Sequence, residues 1–473
     1  MAHAAPAYPK SRDVTGGRVH RGRHRGIAGH RGGNPTATTL AGVAAVALAI
    51  GVARFALTPV APLMLASGVL PGFGALARMA MANYLGNLVG TVVCVTLIPR
   101  HVQLRALRVA AVMIVGVTAA MAWPTAWLPW PLLRALAGLA GAVVFVSATS
   151  IVLSGLNSRN AATGTTRLYL GIGTGIALAA LVVMPATGWR SAWLYLATLA
   201  VVLAFPACRW LRQPPPGAGA RSLDDPWRRL PEPRRRSAAA MTALCTAFFL
   251  EGLGYIVTGT FLPAMPGALP GGQIWLVAGL AAVPSCALWG RLVSRYSLAR
   301  VLPVAFAVQA AGIALPAMVA SPLAGLLSAV AFGGTFAAVV AMLFAWGGML
   351  PGGPSPRSVG IMACCYGAGQ VLGPLLAGSG IHTALLLGAA AVASAIAPLL
   401  FLGWRTAQTG RRATEPLPRL RVGGERPVAA RLVAADRPVL SGGQARFRLV
   451  GQGGPPARRL FDDGAVGGAE LAV

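Results

Sequence analysis

The stretch TTLAGVAAVALAIGVARFALTPVAPLM, residues 38–64, holds a single charged side chain, Arg54, in an otherwise apolar run. About 20 apolar residues cross a bilayer as a helix, so this run is long enough to span. It is too long for the h-region of a cleavable signal peptide, which is about 7–15 residues. We read it as the first of a series of spanning helices. Further runs of the same kind follow at 74–98, 105–122, 127–153, 165–186 and 190–211, and again at 239–265, 273–293, 301–320, 323–346, 358–379 and 382–404. The fold class is therefore an all-α membrane protein, with twelve transmembrane helices in two pseudo-symmetric six-helix halves. The organisation reads as a basic N-terminal arm (1–36), a first half (37–211), a basic linker (212–238), a second half (239–404) and a basic tail (405–473). The arm and tail are polar, rich in Arg, Gly and Pro, and expected to be disordered.

Composition agrees. Hydrophobic residues make up 56% of the chain and charged residues only 11%, against roughly 25% charged in a soluble domain. The formal net charge of +29 would suit a nucleic-acid binder if it formed one face. Instead the basic residues collect at the two ends and in the linker, where anionic lipid headgroups account for them. With the N-terminus in the cytoplasm, all 40 lysines and arginines fall on the cytoplasmic side except four. Arg78 and Arg190 fall outside, and Arg54 and Arg134 lie inside helices. This positive-inside segregation orients the chain as a multi-pass inner-membrane protein with both termini cytoplasmic. A wrong helix count would scramble it. Trp123, Trp127, Trp130, Trp189, Trp193 and Trp275 fall at the outer turns and are expected to form an interfacial aromatic belt. The six cysteines lie in apolar stretches without metal-ligand spacing and read as small packing residues. No metal, cofactor, nucleic-acid or nucleotide motif is present, and no P-loop string offers ATP drive.

The halves repeat weakly. Pro62-Leu63-Met64 ends the first span and Pro263-Ala264-Met265 the seventh, an offset of 201 residues that also pairs Arg54 with Tyr255. Gly86 and Gly90, Gly171, Gly173 and Gly175, and Gly367, Gly369 and Gly373 put small residues into spans 2, 5 and 11. Small residues let helices approach closely in lipid, so these spans are expected to form the seam between the halves.

Several strings together resemble the major facilitator superfamily, and within it the YbfB/YjiJ branch. They are GVARFALTP (51–59), ANYLG (82–86), RALAG (134–138), FLEGLGYI (249–256) and YGAGQVLGP (366–374). The loop GRLVSRYSLAR (290–300) is similar to the family's signature, with Ser294 where an Asp is usual and Ala299 where a basic residue is usual. The resemblance implies a secondary carrier working by alternating access, often an efflux carrier, whose central cavity is lined by spans including 1, 4 and 7.

Arg54, Arg134 and Glu251 are the ionisable side chains inside the spans. A charge at a helix centre costs at least about 2.5–3.5 kcal/mol and usually faces an interior or aqueous cavity. These three are the candidate substrate-binding or coupling residues, with Asn83, Tyr84, Tyr255 and Gln370 behind them. Two arginines against one glutamate point to an anionic or carboxylate-bearing small molecule, and Glu251 to a coupled proton. The expected partners are that small molecule, protons and the bilayer, with the carrier a monomer. A static Arg54–Glu251 pair fixing helix packing is the bland reading of the same residues. A non-transporting receptor or scaffold on the same fold, and a membrane-embedded transferase, are the alternatives. The transferase would need carboxylate or His clusters at the interface, and the loops between spans carry acids only in the linker.

Overall fold

The computed structural model of the chain describes residues 35–123, 128–154, 161–213, 238–265, 269–350 and 356–413. The arm to residue 34 and the tail from 414, on which the expectation of disorder falls, and linker residues 214–237 lie outside the described residues. Among the described residues every regular element is helical. The spans are α1 (Ala37–Ala66), α2 (Phe73–Thr96), α3 (Gln103–Ala120), α4 (Pro129–Ser154), α5 (Ala161–Val183) and α6 (Trp189–Trp210), then α7 (Ala238–Phe261), α8 (Gly271–Tyr296), α9 (Leu298–Met318), α10 (Pro322–Gly348), α11 (Ser358–Ser379) and α12 (Ile381–Arg405). Eleven of the described helices are long and apolar enough to cross a membrane, and the apolar stretch Arg167–Val183 of α5 supplies the twelfth. The expected helix count stands, with boundaries shifted by a few residues, most at α5.

α1 is not uniform. Its segment Leu48–Arg54 winds as a π-helix, closed by Phe55 N donating to Ile50 O at 3.1 Å. Four residues beyond, Pro59 has no N–H to return to the Phe55 carbonyl, which is taken instead by Thr58 N at 3.1 Å. The loosened turn and the tightened one meet at Arg54, and π-turns of this kind recur at functional sites.

Within the first half, α2 and α4 cross at backbone contact. A Cβ on Gly138 would lie 2.0 Å from Asn83 O, and one on Gly86 would lie 2.0 Å from Ala135 O. No side-chain motion relieves a clash with backbone, so Gly138→Val should abolish monodisperse, membrane-inserted protein in size-exclusion chromatography. Gly116→Val, whose Cβ meets nothing within 4 Å, should leave the profile unchanged.

The halves meet along two seams, α2 against α11 and α5 against α8. A pseudo-twofold axis that pairs α2 with α8 and α5 with α11 turns one seam into the other. The seam expected on spans 2, 5 and 11 is thus completed by α8. Only some of the small residues serve it. Gly173 packs on Val283 and Gly367 on Leu88 across the seams, whereas Gly86 and Gly90 pack on α4, Gly171 and Gly175 on α1, and Gly369 and Gly373 on α7. The close approaches mostly hold each half together. Gly279 of α8, against Ala177, is a seam contact that the sequence reading missed.

The start of α1, Arg100, Arg105, Arg209, Arg291 and Arg295 share one end of the bundle, called here the arginine-rich end. The far end holds most of the tryptophans, but not as a belt. Trp130, Trp193 and Trp275 are fully buried and Trp189 nearly so, while Trp123 is exposed; Trp127 lies outside the described residues. Trp130 meets Trp189 edge-on at 5.5 Å and donates its Nε1–H to Met121 O at 3.2 Å. Large flat side chains with one donor fill gaps between helices as readily as they anchor at headgroups, and here packing prevails.

Candidate functional site

The π-turn of α1 sets Arg54 at mid-bundle, where its side chain stays partly exposed amid buried neighbours. Its Nη1 donates to Asn87 Oδ1 at 3.3 Å. Its Nη2 donates to Tyr255 OH at 3.0 Å and to Gln370 Oε1 at 2.5 Å. Gln370 Nε2 donates in turn to Tyr255 OH at 3.1 Å. The rings of Phe55 and Tyr84 lie 5.5 and 5.6 Å from the guanidinium carbon. Arg54 belongs to the first half, Tyr255 and Gln370 to the second, so the network crosses between them. Every hydrogen-bond partner of Arg54 is neutral, and its Nε has none among the described residues. Bonds to charged donors are worth about 1.5–3 kcal/mol each, enough to hold a lone cation here without a carboxylate.

Arg134 plays a different part. It is 2% exposed, and its Nη2 donates to the backbone oxygen of Arg54 at 2.7 Å. Asn83 Nδ2 donates to Ala53 O at 2.9 Å and Arg134 O at 2.8 Å. Both side chains serve carbonyls at the junction of the π and α segments, where buried backbone oxygens need donors. They position Arg54 from behind. Tyr84 OH hydrogen-bonds Thr260 Oγ1 at 3.1 Å, another link between halves.

Glu251 is fully buried on α7, one turn before Tyr255. It is the sole carboxylate among the described residues. It forms no ion pair with either arginine, so the static Arg54–Glu251 pair is not formed. Gln309 of α9 donates Nε2 to Glu251 Oε1 at 2.8 Å. Glu251 Oε2 and Gln309 Oε1 have no partner among the described residues. Both are acceptors. One proton on Oε2 is the addition that gives each a use, since an acid and an amide can exchange two hydrogen bonds.

From Arg54 to the far end the halves are joined closely. Thr58 Oγ1 donates to Gly259 O at 2.8 Å, Phe55 meets Trp275 at 5.5 Å and Phe73 meets Phe261 at 6.3 Å. A Cβ on Gly271 would lie 2.8 Å from both Pro62 Cγ and Pro263 O. Three pairs at the repeat offset, Arg54 with Tyr255, Thr58 with Gly259 and Pro62 with Pro263, therefore flank one line, the pseudo-twofold axis.

The sequence singled out Arg54, Arg134, Glu251, Asn83, Tyr84, Tyr255 and Gln370. Six of these form one connected region around Arg54, and Glu251 adjoins it through α7. Asn87 and Gln309 were missed. Asn87 follows Asn83 by one turn on the same face of α2, and Gln309 is the lone amide of α9; both signals were present.

Two apolar six-helix halves, related by a pseudo-twofold and enclosing a charged centre, define a membrane transporter of the major facilitator fold. The chain matches the family described as "Uncharacterised MFS-type transporter YbfB" over residues 46–402, and it belongs to that family. Among solved structures it is similar to a mutant of the nucleoside transporter NupG, at a TM-score of 0.56 and 13% identity, covering 78% of this chain and 99% of that one. That likeness is one of fold. No curated protein matches the chain.

Proposed function

We propose that the protein exports a small organic anion across the inner membrane by alternating access, acting as a monomer and coupled to protons. The observation that carries this is Arg54, a guanidinium inside the bundle whose hydrogen-bond partners are all neutral and come from both halves. A carboxylate offers it a bidentate, charge-assisted partner that Tyr255 and Gln370 cannot match. Taking that partner frees Tyr255 and Gln370 and so loosens the bonds between α1 and the second half. Cargo binding and opening of the far end then draw on the same side chain, and a ligand shifts such an equilibrium only through its differential affinity for the two states. Glu251 carries the proton, which the Gln309 amide can receive in a paired geometry. Tyr255 lies one turn from Glu251 on α7, which links the two events mechanically.

The arginine-rich end, both termini and the linker face the cytoplasm in this reading, as the positive-inside rule requires. In a cysteine-less background, Ser191→Cys and Gln273→Cys should react with an impermeant maleimide on intact cells, and Ser222→Cys should not. Labelling at position 222 from outside would reverse the orientation. The function itself is tested by thermal shift of the purified protein against a panel of organic acids and matched neutral amides. Acids should stabilise it and amides should not; a carrier stabilised only by neutral compounds is not an anion carrier.

A further inference from the structure

We propose that the anion is aromatic, and that its ring continues a stack ending at Tyr366; this rests on the reading of Arg54 as the anion site. Tyr366 lies on α11 one turn before Gln370, the residue that holds Arg54. The lipid-facing side of α11 carries Ile361, Leu372 and Leu375, all exposed, so Tyr366 and Gln370 share its interior side. The Tyr366 ring is parallel to that of Tyr255 within 7°, at 5.6 Å. Tyr255 is parallel to Phe336 within 3°, and Phe336 to Phe332 within 9°. Side chains from α7, α10 and α11 thus build one stack of aligned rings. Most other ring pairs meet more steeply, as with Trp130 and Trp189 at 81° or Phe73 and Phe261 at 72°, while Phe145 and Tyr169 lie within 19°.

Tyr255, Phe332 and Phe336 are buried, whereas Tyr366 keeps part of its surface uncovered. Phe248 meets it steeply, at 76°, and so does not extend the parallel stack. A partly exposed ring aligned with the stack, near a guanidinium lacking a carboxylate, offers a π-surface and a charge clamp together. Offset stacking rewards a ring over a saturated group beyond the area buried. A saturated ring of equal carbon count is thicker and more hydrophobic, so it would win if the site were merely greasy. The ligand class indicated is a planar aryl carboxylate.

The test measures binding of 2-naphthoate and of decahydro-2-naphthoate to the purified full-length protein by calorimetry. Naphthoate is expected to bind about 10-fold more tightly. Tyr366→Leu should reduce that preference to less than about twofold, and Tyr366→Phe should restore it, since both rings stack and the leucine does not. Arg54→Gln should remove binding of both acids. If the wild type binds both acids equally, or prefers the saturated one, in an Arg54-dependent manner, the aromatic inference fails and the anion reading stands. Retention of the preference in Tyr366→Leu also overturns the inference. If neither acid binds the wild type, both readings fall.

Discussion

Replacing Arg54 by glutamine should remove cargo binding while leaving the fold intact. The guanidinium would give a carboxylate two charge-assisted hydrogen bonds of about 1.5–3 kcal/mol each. Losing both weakens binding by more than ~100-fold, at 1.4 kcal/mol per tenfold. Glutamine keeps an amide that can bond Tyr255, so the apo protein loses little, and it buries no lone charge. Melting temperature without ligand should match the wild type, whereas the shift produced by an acidic ligand should vanish. A retained ligand shift would mean that the anion is held elsewhere. Arg134→Gln separates positioning from contact. Arg134 donates to the Arg54 carbonyl and not to the centre, so its loss should lower apo stability by about 1–3 kcal/mol through an unsatisfied buried carbonyl, with ligand stabilisation reduced only in part.

Glu251→Gln should uncouple transport from protons. The glutamine is isosteric with the protonated acid and can face Gln309 in the same amide-to-amide geometry, so the fold survives. In proteoliposomes, accumulation driven by a pH gradient should fall to the level reached without a gradient. Exchange of labelled for unlabelled cargo should persist and lose its pH dependence. The sign follows from which form is mimicked. The wild type loads its proton as pH falls, so the variant should behave at every pH as the wild type does when acidic. A variant that still accumulates cargo against a gradient, with the wild-type pH profile, would place the proton elsewhere.

The helices were legible because a bilayer demands long apolar runs. Arg54, Arg134 and Glu251 stood out because a charge in such a run is costly. What each charge touches was not legible. The sequence put both arginines in the cavity, yet Arg134 serves a backbone carbonyl, because Pro59 and the π-turn leave carbonyls in α1 needing donors. It set Glu251 against Arg54 across the axis, yet the carboxylate turns toward α9, whose single amide gave no hint of its direction in linear spacing. The tryptophans misled for a similar reason, since position along a span says nothing about which side of the helix faces lipid.

The contact between positions 54 and 255 has a consequence for ancestry. In a symmetric pair of identical six-helix chains, a residue on the twofold faces its own copy. A homodimer of such halves would set arginine against arginine here, or tyrosine against tyrosine. The first repels and the second has no charge to offer a carboxylate. The proposed proton site shows the same divergence, for the repeat counterpart of Glu251 is Ile50, a buried aliphatic residue. A single cation at the centre with a neutral acceptor opposite therefore requires two halves that are free to mutate apart. Divergence of the halves was a precondition for the site, and a homodimer of either half alone could not rebuild it.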